Sequence, residues 1–489
     1  MQQNKINNPP YLIRFCAITA MVAGLISTPA YADEIKATVK DQKELSLTVY
    51  NQDLALIRDV RNVSLNIGMN RLAVREVSAK IRPETAIITS LSHPNALSLF
   101  EQNFDYDLLT PQQLLQKYVG KQVRVIKTHP TTGAEKEVTA TVLSANNGVV
   151  LKVGDRIETG IPGRIVYDQV PANLRDRPTL SILANSNITD KQTIELSYLS
   201  GGLSWKADYV AKLDKAEKFL DLNGWVTLNN QSGASYKNAK LQLVAGDVNR
   251  VHQPRMRKNR DVVMMESMAA TAMPEMAEEG LFEYHLYTLG HKTSVLQNQT
   301  KQVALLSANK VPVMKEFLLQ GSQHYYYNRH GAIADKLKVG VFVEFKNEKQ
   351  HDLGIAMPKG IVRVYKDDSS GNAQFIGEDR IDHTPKDETI RLKLGDAFDV
   401  TASKNQTSYK KESAFGRFKH AASSSYEIEI HNAKSEDVTV KVLEPIPGDW
   451  KMLESNLAHE KVSAHTVQWL VKVPAEKRVT LSYKVLVRY

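Results

Sequence analysis

Five methionines crowd one short tract: Met264, Met265, Met268, Met273 and Met276. Thioethers are soft ligands that suit copper(I), and the pairs Met265/Met268 and Met273/Met276 each have three-residue spacing, with His252 and Met256 upstream. Met265, Met268, Met273 and Met276 are therefore the metal candidates of this chain. The same Met-Ala-Glu composition also describes a flexible segment that packs on partners without metal, and this is the stronger reading. His459-Glu460 with His465 has the residues of a zinc-hydrolase helix but not its spacing. The second imidazole comes too late to share a helical face with the first, and the stretch reads as a strand.

Other catalytic signatures fail in similar ways. Gly202-Leu203-Ser204 starts like a nucleophile elbow, but Trp205-Lys206 breaks it and a strand follows where a helix is required. The run from Asp367 to Asn372 has the composition of a calcium loop without its closing glutamate, and a hairpin turn explains it better. No phosphate-binding loop or dinucleotide fingerprint occurs, so no cofactor is expected. A hydrolase with residues scattered over several strands would draw first on His324, His330, His383 and Asp379. Trp205, Trp225, Trp450 and Trp469 offer flat apolar rings that can stack on sugars, although Trp469 sits in an apolar run that favours core packing.

Composition narrows the chemistry further. The chain has 489 residues, a formal charge of +9 and one cysteine, Cys16. That cysteine lies in a stretch built like a secretory leader. Lys5 and Arg14 form a positive start, Phe15 to Ile26 an apolar middle, and Ala30-Tyr31-Ala32 a small-residue cleavage site before Asp33. The apolar middle is shorter than the ~20 residues a membrane helix needs. Ile13-Arg14-Phe15 does not resemble the small-residue run that precedes a lipoprotein cysteine. Removal of residues 1–32 leaves a mature chain without cysteine, which excludes disulfides, thiol nucleophiles and cysteine-bound zinc. Loss of Lys5 and Arg14 lowers the formal charge from +9 to +7, which aids solubility. Export points to a periplasmic or extracellular address, with an envelope protein or glycan as partner, and argues against nucleic acid.

Strands must carry whatever site exists. Leu45, Leu47 and Val49 alternate with polar residues, and Val63, Leu65 and Ile67 lead into a turn at Gly68-Met69-Asn70. Thr110 and Pro111 open the clearest helix, with Leu114, Leu115 and Tyr118 as its apolar stripe and Gly120 as its stop. Five short strands between Gln122 and Val170 suggest a small closed barrel. The expected fold is mainly β: antiparallel β-sandwich domains with an inserted small β-barrel and one short helix. The expected divisions are a signal peptide at 1–32, an N-terminal β domain at 33–100, and a small barrel with its leading helix at 101–172. A β-sandwich region follows at 173–489, interrupted by a flexible basic and methionine-rich segment at 250–280. The final alternation of Val479, Leu481, Tyr483, Val485, Val487 and Tyr489 also fits the last strand of an outer-membrane barrel, the alternative to a soluble sandwich.

Several motifs resemble a known family. They include Tyr198-Leu199-Ser200-Gly201-Gly202-Leu203-Ser204-Trp205-Lys206-Ala207-Asp208-Tyr209 and Leu222-Asn223-Gly224-Trp225-Val226. Val244-Ala245-Gly246-Asp247-Val248, Lys301-Gln302-Val303 and Phe375-Ile376-Gly377-Glu378-Asp379 belong to the same set. Together they resemble the uncharacterised conserved domain found in mucoidy inhibitor A and related secreted bacterial proteins, over roughly 180–489. Leu47-Thr48-Val49-Tyr50 through Pro83 resembles that family's N-terminal β-domain. The family's coiled-coil segment has no counterpart, because the small barrel stands at 110–170. The resemblance implies an envelope location and a β-fold; it implies no catalytic residues. The expected role is a non-catalytic binding or scaffolding module of the cell envelope, with a hydrolase or an outer-membrane barrel as alternatives.

Overall fold

The computed structural model describes residues 34–161, 163–171, 174–246, 248–249, 276–413 and 418–489. The expected leader at 1–32, and Met265, Met268 and Met273 among the copper candidates, lie outside the described residues. The fold is mainly β, with one α-helix among the described residues, Pro111–Lys117. Thr110 caps that helix by accepting a hydrogen bond from the Gln113 amide, and Pro111 occupies the first turn, where no amide donor is needed.

Two sheets are built jointly from the beginning and the middle of the chain. A four-stranded sheet runs Ile35–Ala37, Gly68–Arg75, Thr179–Ser186, Leu97–Asp105. In a larger, eight-stranded sheet Leu54–Leu65 pairs with Asp190–Ser200 along its length, and Gln42–Tyr50 pairs in parallel with Tyr236–Ala245. The strands of 33–100 thus share their sheets with those that follow 173. A third, five-stranded sheet has the order Gln299–Pro312, Phe219–Asn230, Leu203–Leu213, Gly360–Asp367, Ala373–Ile381. All three close on one apolar core containing Leu47, Ile57, Leu180, Trp205, Tyr209, Leu222 and Val362.

Of the segment expected to be flexible, residues 250–275 lie outside the described residues and residues 276–280 do not. Met276–Leu281 is a strand paired with Tyr284–Leu289, because main-chain hydrogen bonding to a neighbour outweighs its polar composition. Met276 is half-buried against the first core, which accounts for its thioether as packing.

Residues 122–166 make a five-stranded antiparallel sheet around a core of their own, with Val123, Val125, Val142 and Leu151 meeting Leu115 of the helix and Tyr118 just after it. Its end strands, Arg156–Thr159 and Arg164–Val166, are not hydrogen-bonded to each other.

The C-terminal half forms a nine-stranded, nearly closed, barrel-like sheet. Val479 to Tyr489 alternates as expected. Leu481, Tyr483, Val485 and Val487 point into the enclosed core, while Lys484 and Arg488 lie on the outside. Two long strands, Ala332–Lys346 and Thr389–Glu412, join the halves. Val343, Phe345, Ile390 and Leu392 at one end enter the first core, and Val339, Val400 and Ala402 enter the second.

Candidate functional site

Thr389–Glu412 sends Val400, Ala402, Lys404 and Gln406 into the barrel-like sheet in strict alternation. Val438–Pro445 does the same with Val438, Val440, Val442 and Glu444. Two charges therefore stand where the period of each strand calls for apolar residues. They meet: Lys404 Nζ lies 2.7 Å from Glu444 Oε2, with both side chains 1% exposed.

Two tyrosines close the hydrogen-bonding around this pair, and a third lies beside them. Lys404 Nζ donates to Tyr483 Oη at 3.1 Å, and Tyr326 Oη donates to Glu444 Oε2 at 2.7 Å. The two phenol oxygens are 2.8 Å apart. Gln406 donates to Tyr426 Oη, which in turn donates to the Tyr325 carbonyl. The rings of Tyr325, Tyr326, Tyr426 and Tyr483 all lie within cation–π reach of the ammonium, the nearest at 4.8 Å. Burial pushes the Lys404 ammonium below its usual value, and Glu444 opposes that shift. Burial also holds the Tyr326 and Tyr483 hydroxyls well above theirs.

Gly321 makes room for the carboxylate. A methyl group on its Cα would lie 2.3 Å from Glu444 Oε2. The variant Gly321→Ala should therefore push Glu444 off Lys404 and lower stability by about 1–3 kcal/mol, the usual scale of overpacking; thermal unfolding against wild type measures it. A second buried pair, Arg61 with Asp59, is saturated differently. Arg61 also donates to the carbonyls of Ala37 and Arg75, tying strands together in the first core.

The outer face of the five-stranded sheet that closes on the first core, with Leu203–Leu213 at its centre, is a different kind of surface. Its inner side buries Trp205, Ala207, Tyr209 and Ala211, so the alternate residues Lys206, Asp208, Val210 and Lys212 face outward. Gly224 lets the neighbouring strand come close, since a Cβ there would lie 2.9 Å from Leu306 and 3.1 Å from the Tyr209 ring. Trp225 then stands in register with Asp208 on the outer side, half-buried. Around Asp208, Thr227 Oγ1 donates at 2.8 Å, and Lys206 Nζ and Arg363 each donate at 3.2 Å. Arg363 also pairs with Glu378, its register partner on the adjacent strand, and Ser307 donates to Asn223. A flat aromatic ring is thus set beside an ordered array of donors and acceptors.

The residues expected from the sequence are divided between places. His324 and His330 do come together, with ring centroids 5.4 Å apart, at the short 3-10 turn Gln323–Tyr326. Asp379 lies on the end strand Ala373–Ile381 and His383 in the loop after it. Asp379 is engaged there by the amides of Arg380 and Lys393. His459 and Glu460 are exposed on the edge strand His459–Ser463, where Glu460 accepts from Gln468. Among the described residues, no three of His, Cys, Asp and Glu gather as a metal site. Asp368 caps its own turn by accepting from the Asn372 amide, the Gln374 side chain and the Ser370 amide, which hold its carboxyl below the usual range. Trp205 and Trp469 are buried, and Trp450 donates to the Ala464 carbonyl, which leaves Trp225 as the tryptophan on an open sheet face.

Lys404, Glu444 and Tyr326 are not among the candidates expected from the sequence. The signal was present, as a charge at the apolar parity of a strand. A model for a domain of unknown function, DUF4139, matches residues 194–489. The chain belongs to the DUF4139 family. The DUF4139 region contains every strand of both constellations described above. It begins inside the strand Asp190–Ser200, whose long partner Leu54–Leu65 precedes the region, so the first core of this DUF4139 protein needs the N-terminal strands to close. No curated protein matches the chain.

Proposed function

We propose that this DUF4139 protein is an exported, non-catalytic binding module of the cell envelope, and that its binding face is the outer side of the five-stranded sheet, with a glycan as ligand. The observation that carries the reading is a contrast in access. The ionisable cluster at Lys404 and Glu444 is sealed from any substrate, whereas on the outer sheet face Lys206 is exposed and Trp225 half-exposed above the largely buried Asp208. An indole presents an apolar face to the C–H side of a sugar ring, and neighbouring carboxylate, guanidinium and amide groups match its hydroxyls. The leader-like residues 1–32, and the likeness to secreted proteins, support export. The outward charges Glu427, Glu429, Lys441, Lys472 and Lys484 favour an aqueous setting over lipid, since a membrane barrel carries its apolar band outside.

The test uses protein recovered from an envelope extract and applied to insoluble cell-wall glycan. Wild type should be retained, and Trp225→Ala should bind about tenfold more weakly, equivalent to ~1.4 kcal/mol, with an unchanged melting temperature. Equal binding by the variant, no binding by wild type, or retention that survives digestion of the glycan would each reject the reading.

A further inference from the structure

Lys404, Tyr483, Tyr326 and Glu444 form a closed ring of hydrogen bonds. Because Tyr326 donates to Glu444 Oε2, its oxygen is free to accept from Tyr483, whose oxygen accepts from Lys404 Nζ. The ring returns to its start through the 2.7 Å contact between Nζ and Oε2. All four side chains are buried. Lys404 and Glu444 come from strands separated by two others in the sheet order, Ala332–Lys346 and Met314–Gln320, so the pair spans the interior rather than a ladder.

We propose that Lys404 and Glu444 condense to an intramolecular amide, a covalent staple across the barrel-like sheet. Transfer of one proton from Nζ to Oε2 turns the ion pair into an amine and a carboxylic acid, the uncharged forms that a dry site favours. The Nζ lone pair attacks Glu444 Cδ and the N–C bond forms. One N–H proton passes through the Tyr483 and Tyr326 oxygens to Oε2, the C–Oε2 bond breaks, and the oxygen leaves as water. The amide keeps the other N–H, directed at Tyr483. Atoms and charge balance with water as the sole by-product, and no oxidant or cofactor is required. Burial favours the neutral amine in the same direction. The product removes two buried charges while keeping one hydrogen-bond donor and one acceptor in place. It would also give a cysteine-free mature chain the kind of covalent closure that disulfides give other proteins.

Mass spectrometry of the purified, denatured full chain tests this directly. The expected mass is one water below that calculated for the recovered chain from its own N-terminus, and tandem spectra should show a branched peptide joining residues 404 and 444, with trypsin failing to cut after Lys404. The full calculated mass with cleavage at Lys404, or a water loss mapped elsewhere, would overturn the staple. The Tyr483→Phe variant keeps both reacting groups but breaks the relay. It should slow the condensation about a hundredfold, so that unmodified chains accumulate. Complete condensation in that variant, at the wild-type rate, would overturn the relay. The wild-type measurement does not depend on whether any variant folds, nor on whether the outer sheet face binds a glycan.

Discussion

Lys404→Met is expected to lower the stability of the fold by about 3–5 kcal/mol, because it leaves the Glu444 carboxylate buried without a counter-charge. The side chain of Glu444 is 1% exposed, so water cannot replace the lost ammonium, and only Tyr326 would still donate to Oε2. Methionine has nearly the same length as the lysine stem, so cavity formation contributes little. Loss of the proposed amide acts in the same direction. The double variant Lys404→Met with Glu444→Leu removes both charges and should be more stable than the single lysine variant, since an apolar replacement of a buried pair is tolerated far better than half of one. Urea unfolding of the three proteins decides it. A single variant as stable as wild type, or a double variant less stable than the single, would show that the carboxylate does not need its partner.

Raising the pH above 10 should unfold the protein through its tyrosines. Burial lifts the hydroxyls of Tyr198, Tyr209, Tyr326 and Tyr483 well above their usual value, and pushes Tyr236 and Tyr426 up to about 12. In the unfolded chain the same groups lose their protons near pH 10. Between these limits the unfolded state holds fewer protons than the folded one, so stability is retained below pH 10 and falls as pH rises. A tyrosine shifted by about two units loses ~3 kcal/mol over that window. Lys404, while a free amine, acts oppositely. Its lowered value makes stability rise with pH up to its unfolded value near 10.5, but it is one group against six. Tyrosinate absorbance should therefore rise in one cooperative step together with the loss of far-ultraviolet β signal. A gradual rise with the fold intact would mean that these hydroxyls are reached by solvent.

Much of the local structure was legible in the sequence. Thr110 and Pro111 marked the start of the helix, and Asp368 sits in the turn its composition suggested. The parity of Val479 to Val487 correctly separated an inner from an outer face. These features depend on a few consecutive residues: the free amides of a first turn, the reach of a short carboxylate to the next amides, the two-residue period of a strand. The beginning and middle of the chain sharing their sheets was harder to read, because strand pairing is a contact between segments far apart. Leu54–Leu65 and Asp190–Ser200 carry no local mark that they are partners. The parallel pairing of Gln42–Tyr50 with Tyr236–Ala245 is hidden for the same reason.

The same limit governs the two constellations. Alternation alone places Lys404 with Val400 and Ala402, and Glu444 with Val440 and Val442, on the apolar side of their strands. It places Trp225 and Asp208 on the opposite side from Val226 and Tyr209. The sequence by itself therefore determined a mainly β chain, the capped helix, the turns and the face each side chain takes. Tertiary structure alone decided that two inward charges meet at 2.7 Å among tyrosines, and that one outward tryptophan stands in register with a hydrogen-bonded carboxylate. Side-chain parity belongs to a single strand, whereas strand order and register are set by burying all the apolar faces at once.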